Sequence, residues 1–152
     1  MIELNEIEMR IAQFLQKKRT ELAAQHNCTE RMVSKDVEGS DLQGVYGEMA
    51  YGKLMNMYMS LSLDYCHYDY MDFLGNKIDV KSAKPEYNLI VPEHQGDHDV
   101  DIYALMLGQD DRWEYAGWTH KADIINDDHW RTDMPQPCWF MRVDDPMFRR
   151  NE

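Results

Sequence analysis

The stretch GNKIDVKSAK, Gly75 to Lys84, decides how the rest of the chain is read. Its centre alternates, with Ile78 and Val80 on one side and Asp79 and Lys81 on the other, which is the period of a β-strand. The apolar pair predicts a strand over Lys77–Ser82 anchored in a sheet. The polar pair predicts an acid and a lysine side by side on its other face. Taken alone, such a pair is an ordinary ion pair. Asp79-Val80-Lys81 is, however, the single Asp/Glu-x-Lys triplet in the chain, and other acids stand near it. Asp72 precedes it by seven residues, and Gly75-Asn76 between them is turn chemistry. A hairpin there is expected to bring Asp72 toward Asp79. Upstream, Glu48 sits in a helical pattern. Gly44 and Gly52, each about one turn away, predict a face that packs closely on another backbone.

Carboxylates that converge without matching cations do not all stay ionised cheaply. A hard divalent cation resolves the conflict, and Mg²⁺ takes one or two carboxylates together with water and a substrate phosphate. Mn²⁺ is the natural substitute. One such ion spanning Asp72 and Asp79 requires their carboxylates to lie within about 8 Å of each other. A lysine beside the ion can stabilise charge developing at phosphorus or orient an attacking water.

Outward from this stretch, Asn5 to about Asn27 has helical periodicity, with Ile7, Ile11, Phe14, Leu15 and Leu22 as the apolar stripe. Thr29–Gly39 is polar and reads as a loop. Ser40 is the expected N-cap of a second helix reaching about Ser60, with Leu42, Val45, Tyr46, Met49, Leu54 and Met57 facing inward. Short β-like runs follow at Leu61–Tyr70, Asn88–Val91, Val100–Leu107, Trp113–Thr119 and Cys138–Val143. Helices first and strands afterwards predict a mixed α/β or α+β fold. No linker or repeat divides the 152 residues, so one domain over residues 1–152 is expected.

The formal net charge is −12, which argues against nonspecific coating of nucleic acid. Residues 93–145 hold 13 acidic and 4 basic side chains, while the rest of the chain holds 15 and 12. A phosphate-binding face is therefore expected from the first half. Three cysteines, Cys28, Cys66 and Cys138, without a CxxC pair predict reduced thiols and a cytoplasmic protein. No apolar run is long enough for a membrane span. His94 and His98 have a zinc-like spacing, but Pro92 and Gly96 oppose the helix that spacing needs, so a loop is expected. Lys17, Lys18 and Arg19 read as a solvated helix face.

The set Glu48, Asp72 and Asp79-Val80-Lys81 resembles the PD-(D/E)XK nuclease superfamily, which includes restriction endonucleases, Holliday junction resolvases and small phage nucleases. Gly44-x-x-Gly47-Glu48-x-Ala50 is similar to the helix that supplies its first acid. Asp72 matches the acid of the "PD" position, with Met71 in place of the proline. Asp79 matches the second acid and Lys81 the lysine. The likeness is best over residues 44–84 and weaker to about Ile124. The resemblance implies a restriction-endonuclease-like central mixed β-sheet flanked by N-terminal helices. It implies Mg²⁺ (or Mn²⁺) on Asp72, Asp79, the Val80 carbonyl and Glu48, with Lys81 as the catalytic lysine. The implied reaction is hydrolysis of DNA phosphodiester bonds by a metal-activated water, endonucleolytic rather than exonucleolytic. Lys77, Ser82 and Lys84 flank the motif as candidate DNA contacts. A phage-encoded protein in the host cytoplasm, and a homodimer where paired breaks are made, are further implications. The family core has a crossover helix after the lysine strand, whereas residues 85–107 read here as strands and loop. An alternative of a different class is a noncatalytic acidic binding protein or nucleic-acid mimic on a nuclease-like scaffold.

Overall fold

A computed structural model of the protein describes residues 1–25, 37–61 and 66–152. Strand β1 (Ile2–Glu3) leads into helices α1 (Glu6–Gln25) and α2 (Val37–Met55). Strands β2 (Tyr70–Met71), β3 (Lys77–Ala83), β4 (Leu89–Pro92), β5 (Ile102–Gln109) and β6 (Arg112–His120) follow. The short helix α3 (Lys121–Ile124) and strands β7 (Trp130–Arg131), β8 (Cys138–Met141) and β9 (Arg149–Arg150) complete the order. The fold is mixed α+β, as the order of helices and strands predicts.

Helix α1 starts where the sequence places it because Asn5 and Glu8 form a reciprocal cap. The Glu8 N–H donates to Asn5 Oδ1 at 2.9 Å, and the Asn5 N–H donates to Glu8 Oε2 at 2.7 Å. Its buried stripe differs from the expected one. Of that stripe Leu15 is buried as expected, but Ile7, Ile11 and Phe14 are exposed, and Ala12, outside it, is buried. Helix α2 begins at Val37, so Ser40 lies inside it and is not its N-cap. The loop expected at Thr29–Gly39 falls mostly outside the described residues. So does the middle of the run expected over Leu61–Tyr70, of which only Tyr70 is a strand residue among those described.

The main sheet runs in the order β1-β6-β5-β3-β2, with β9 added on β6. β3 and β5 are parallel, from Ile78↔Ile102 to Ala83↔Leu107, and the other pairs are antiparallel. Helices α1 and α2 cover one face. There Ile78 and Val80 join Ile102, Ala104, Met106, Val45, Tyr46 and Ala50 in one core. A second sheet, β4-β8-β7, covers the other face. There Tyr103 and Leu105 meet Leu89, Val91, Ile124 and Met141. The connection from β3 to β5 therefore passes through a strand of the second sheet and no helix longer than a single 3₁₀ turn (Glu93–Gln95). Both faces of β3 are covered, which is why Asp79 is 7% exposed although it stands on the polar side of the alternation.

Candidate active site

Two glycines bring α2 down onto the strands, and they are not quite the expected ones. A Cβ built on Gly47 would overlap Ser82 Oγ and lie 2.9 Å from Ser82 Cβ. One built on Gly52 would overlap the Tyr70 hydroxyl, which donates to the Glu48 carbonyl at 2.6 Å. A Cβ built on Gly44 would meet nothing within 4 Å among the described residues, so the close approach does not need that glycine. Pinned at Gly47 and Gly52, the helix holds Glu48 against the edge of β3.

That edge is open. β2 pairs only with Lys77 and Ile78 of β3. Beyond Ile78 no strand lies on that side among the described residues. The Asp69 N–H donates to the Ile78 carbonyl at 2.8 Å, so Ile78 faces β2 with its main-chain groups. Val80, two residues on, faces the same way. Its N–H donates to Asp69 Oδ2 at 2.7 Å, and its carbonyl points out along the free edge. Groups from both faces of the sheet meet around this edge: Glu48 from the helix side, Asp79 and Lys81 from the other.

The acid opposite Asp79 is Asp69, not Asp72. The hairpin register is Tyr70↔Ile78 and Met71↔Lys77, and one step further along it puts Asp69 beside Asp79. Asp72 instead builds the turn. Its Oδ1 accepts from the Leu74 and Asn76 N–H groups, each at 2.9 Å, and its Oδ2 from Asn76 Nδ2 at 2.9 Å. The hydrogen bonds to Asn76 hold its carboxyl below the usual range. The expected Asp72–Asp79 ligand pair is therefore not formed, because the turn is too tight to carry Asp72 along the strand. Asp69 was legible only by counting residues back from the turn.

The charges at this edge are linked. Lys81 Nζ lies 2.8 Å from Asp79 Oδ2 and also donates to Gln95 Oε1. Arg19 Nη1 donates to Glu48 Oε2 at 3.0 Å. Burial raises the Glu48 carboxyl, and Arg19 only partly offsets it. Burial raises Asp69 well above the usual range, and like charge on Glu48 and Asp79 pushes it further. Three carboxylates thus share one place with two cations. The edge opens into a cleft of about 800 Å³ between α1 and α2 on one side and β3 and β4 on the other, lined by Arg19, Glu48, Lys81, Lys84 and Gln95 among others.

The donor chemistry suits a hard divalent cation, since carboxylates and a main-chain carbonyl are oxygen ligands. In the present rotamers each carboxylate faces an internal partner, and among the described residues no three or more His, Cys, Asp or Glu side chains form a ready metal cluster. Binding an ion here requires displacing Arg19, the Val80 N–H or Lys81.

Among the candidate DNA contacts, Lys84 is exposed and lines the cleft. Ser82 Oγ does not face it: that atom is buried under Gly47, without a hydrogen-bond partner among the described residues. Lys77 sits at the other end of β3 and pairs with Asp99. Asp101 Oδ2 accepts from the Lys77 N–H at 2.8 Å and closes the start of the strand. His94 meets His98 edge-on at 6.5 Å, and His98 stacks on His67 at 4.1 Å. Trp113 is core, and Trp130 packs on Trp139 in the second sheet. No described helix is long and apolar enough to cross a membrane. No protein-family model and no curated protein matches the chain.

Proposed function

We propose that the protein is a divalent-metal-dependent nuclease of restriction-endonuclease-like fold that hydrolyses DNA phosphodiester bonds, endonucleolytically rather than from ends. The observation that carries this reading is the convergence of Glu48, Asp69, Asp79 and Lys81 on the open edge at Val80. Asp69 takes the place that the sequence resemblance gives to Asp72. Asp69, Asp79, the Val80 carbonyl and Glu48 would hold Mg²⁺ or Mn²⁺. A divalent ion there supplies Lewis-acid activation of water and neutralises phosphate charge.

The remaining tasks belong to the chain's own groups. Lys81 lies beside Asp79 and is aimed by Gln95, so its ammonium stands where charge grows on a phosphoryl oxygen. The open edge of β3 leaves room for a phosphodiester at the Val80 carbonyl.

The test is cleavage of plasmid, single-stranded and branched DNA in Mg²⁺, Mn²⁺ or EDTA. Wild type should cut only with metal, and Asp79→Ala and Lys81→Ala should not cut although they melt cooperatively. Absence of metal-dependent cleavage of every substrate would reject the reading. The acidity of residues 93–145 favours one other reading, a nucleic-acid mimic. Under it the protein binds no DNA and competes with DNA for a basic DNA-binding protein.

A further inference from the structure

A chain of net charge −12 must still hold a polyanion if it is a nuclease, and the cleft contains the means. Its α1 wall presents Gln16, Arg19 and Thr20, at spacing i, i+3, i+4 and so on one helix face. The opposite wall presents Lys81 and Lys84. The Arg19 side chain is one-third exposed (33%) where it meets Glu48, whereas its neighbour Lys18 turns away to Glu21. The bond from Nη1 to Glu48 engages one of the five donors of a planar fork that matches phosphate geometry.

Charge counting shows when that fork becomes useful. A formal count of Glu48, Asp69 and Asp79 against Arg19 and Lys81 gives about −1 before the raised Asp69 and Glu48 carboxyls take up protons, so the metal-free site has little to attract a phosphodiester. A divalent ion on the carboxylates turns this to about +1, which attracts one. An ion held by these carboxylates would compete with Arg19 for Glu48 and leave the guanidinium to face the cleft. A volume of about 800 Å³ is of the size that encloses a small ligand. It would hold a short stretch of one strand.

We propose that Arg19 is the phosphate-binding residue of this cleft, held on Glu48 until a divalent cation takes that carboxylate, so that metal and single-stranded nucleic acid bind cooperatively. This rests on the nuclease reading of the same site. Because coupling is reciprocal, bound strand should tighten the metal by the factor with which metal tightens the strand.

The experiment uses the full chain, Ca²⁺ as an oxygen-seeking divalent probe, and a fluorescein-labelled oligothymidylate. Calorimetry reads Ca²⁺ binding alone. Fluorescence anisotropy reads oligonucleotide binding in Ca²⁺ and in EDTA over a series of salt concentrations. Wild type should bind the strand in Ca²⁺ and not in EDTA. Arg19→Gln should bind Ca²⁺ at least as tightly as wild type, because Glu48 is freed. It should bind the strand about tenfold to a hundredfold more weakly, the loss of one charge-assisted bond. Its slope of log affinity against log salt should be shallower by about 0.7. Arg19→Lys, which keeps the charge and disturbs the packing least, should keep the slope and lose part of the affinity. If Arg19→Gln retains the wild-type salt slope, Arg19 touches no phosphate and the proposal is wrong while the nuclease reading stands. Equal strand affinity in EDTA and Ca²⁺ overturns the cooperative release. A wild type that binds neither Ca²⁺ nor the strand overturns both.

Discussion

Replacing Gly47 by alanine tests the contact that sets the whole site. The added Cβ would overlap Ser82 Oγ and stand 2.9 Å from Ser82 Cβ. The hydroxyl could rotate aside, but the Cβ is fixed to the strand. Carbon atoms pack best at about 3.5–4.0 Å, so α2 and β3 must separate by roughly half an ångström or more. Overpacking costs about 1–3 kcal/mol, and an overlap this deep falls in the upper part of that range, about 2–3 kcal/mol. Alanine returns about 1 kcal/mol through its better helix propensity. The steric cost outweighs this at a rigid contact, leaving a net loss of about 1–2 kcal/mol. For a chain of this length that lowers the melting temperature by roughly 2–8 °C. The partner variant separates the two effects. In a Ser82→Gly background the obstacle is absent, and Gly47→Ala should raise stability by about 1 kcal/mol. The sign of one substitution thus reverses with the residue opposite. Thermal and urea melts of the four proteins give the coupling directly. A Gly47→Ala protein that melts at or above wild type with Ser82 in place would show that the helix does not lie on the strand as described, and that Glu48 is not held there.

Asp72 and Asp69 should behave oppositely. Asp72→Ala should lower the melting temperature by loosening the turn and leave metal-dependent cleavage per folded molecule unchanged. Asp69→Asn should abolish cleavage and, in EDTA, leave the fold at least as stable, since the amide still accepts from the Val80 N–H. The pH dependence follows from the raised Asp69 and Glu48 carboxyls. A raised folded-state value favours folding while the group is protonated. That contribution is complete below about pH 4, near the unfolded values, and is lost as pH rises through the folded ones. The metal-free melting temperature of wild type should therefore fall relative to Asp69→Asn between about pH 4 and neutrality, and a pH-independent difference would contradict the buried acid. Ser82→Ala removes a buried hydroxyl without a hydrogen-bond partner among the described residues and should leave stability unchanged or raise it by up to about 1 kcal/mol in chemical denaturation.

Local pattern carried much of this fold. Alternation in Lys77–Ser82 predicts β3 to within one residue of its observed span, Lys77–Ala83. The start of α1 at Asn5 needs only a cap and a glutamate three residues on. In α1, periodicity says that one face is buried and not which of two adjacent stripes meets the neighbour. Ala12, too small to stand out in the sequence, is the residue under the contact, and Phe14 is exposed.

By itself, then, the sequence determined the strand, the tight turn before it, the acid–lysine pair on one face and an acid on a preceding helix. Each rests on interactions between residues a few positions apart, which a pattern of residue types records. Tertiary structure alone decided which acid joins them. That depends on register, and register depends on how many residues the turn consumes: the tight turn at Asp72–Asn76 places Asp69 beside Asp79 and keeps Asp72 for itself. It also decided that Ser82 faces the helix, that Gly47 rather than Gly44 admits it, and that Arg19, 29 residues from Glu48, closes the cleft. Those are contacts between separate elements, fixed by how helix and sheet pack, and no local pattern encodes them.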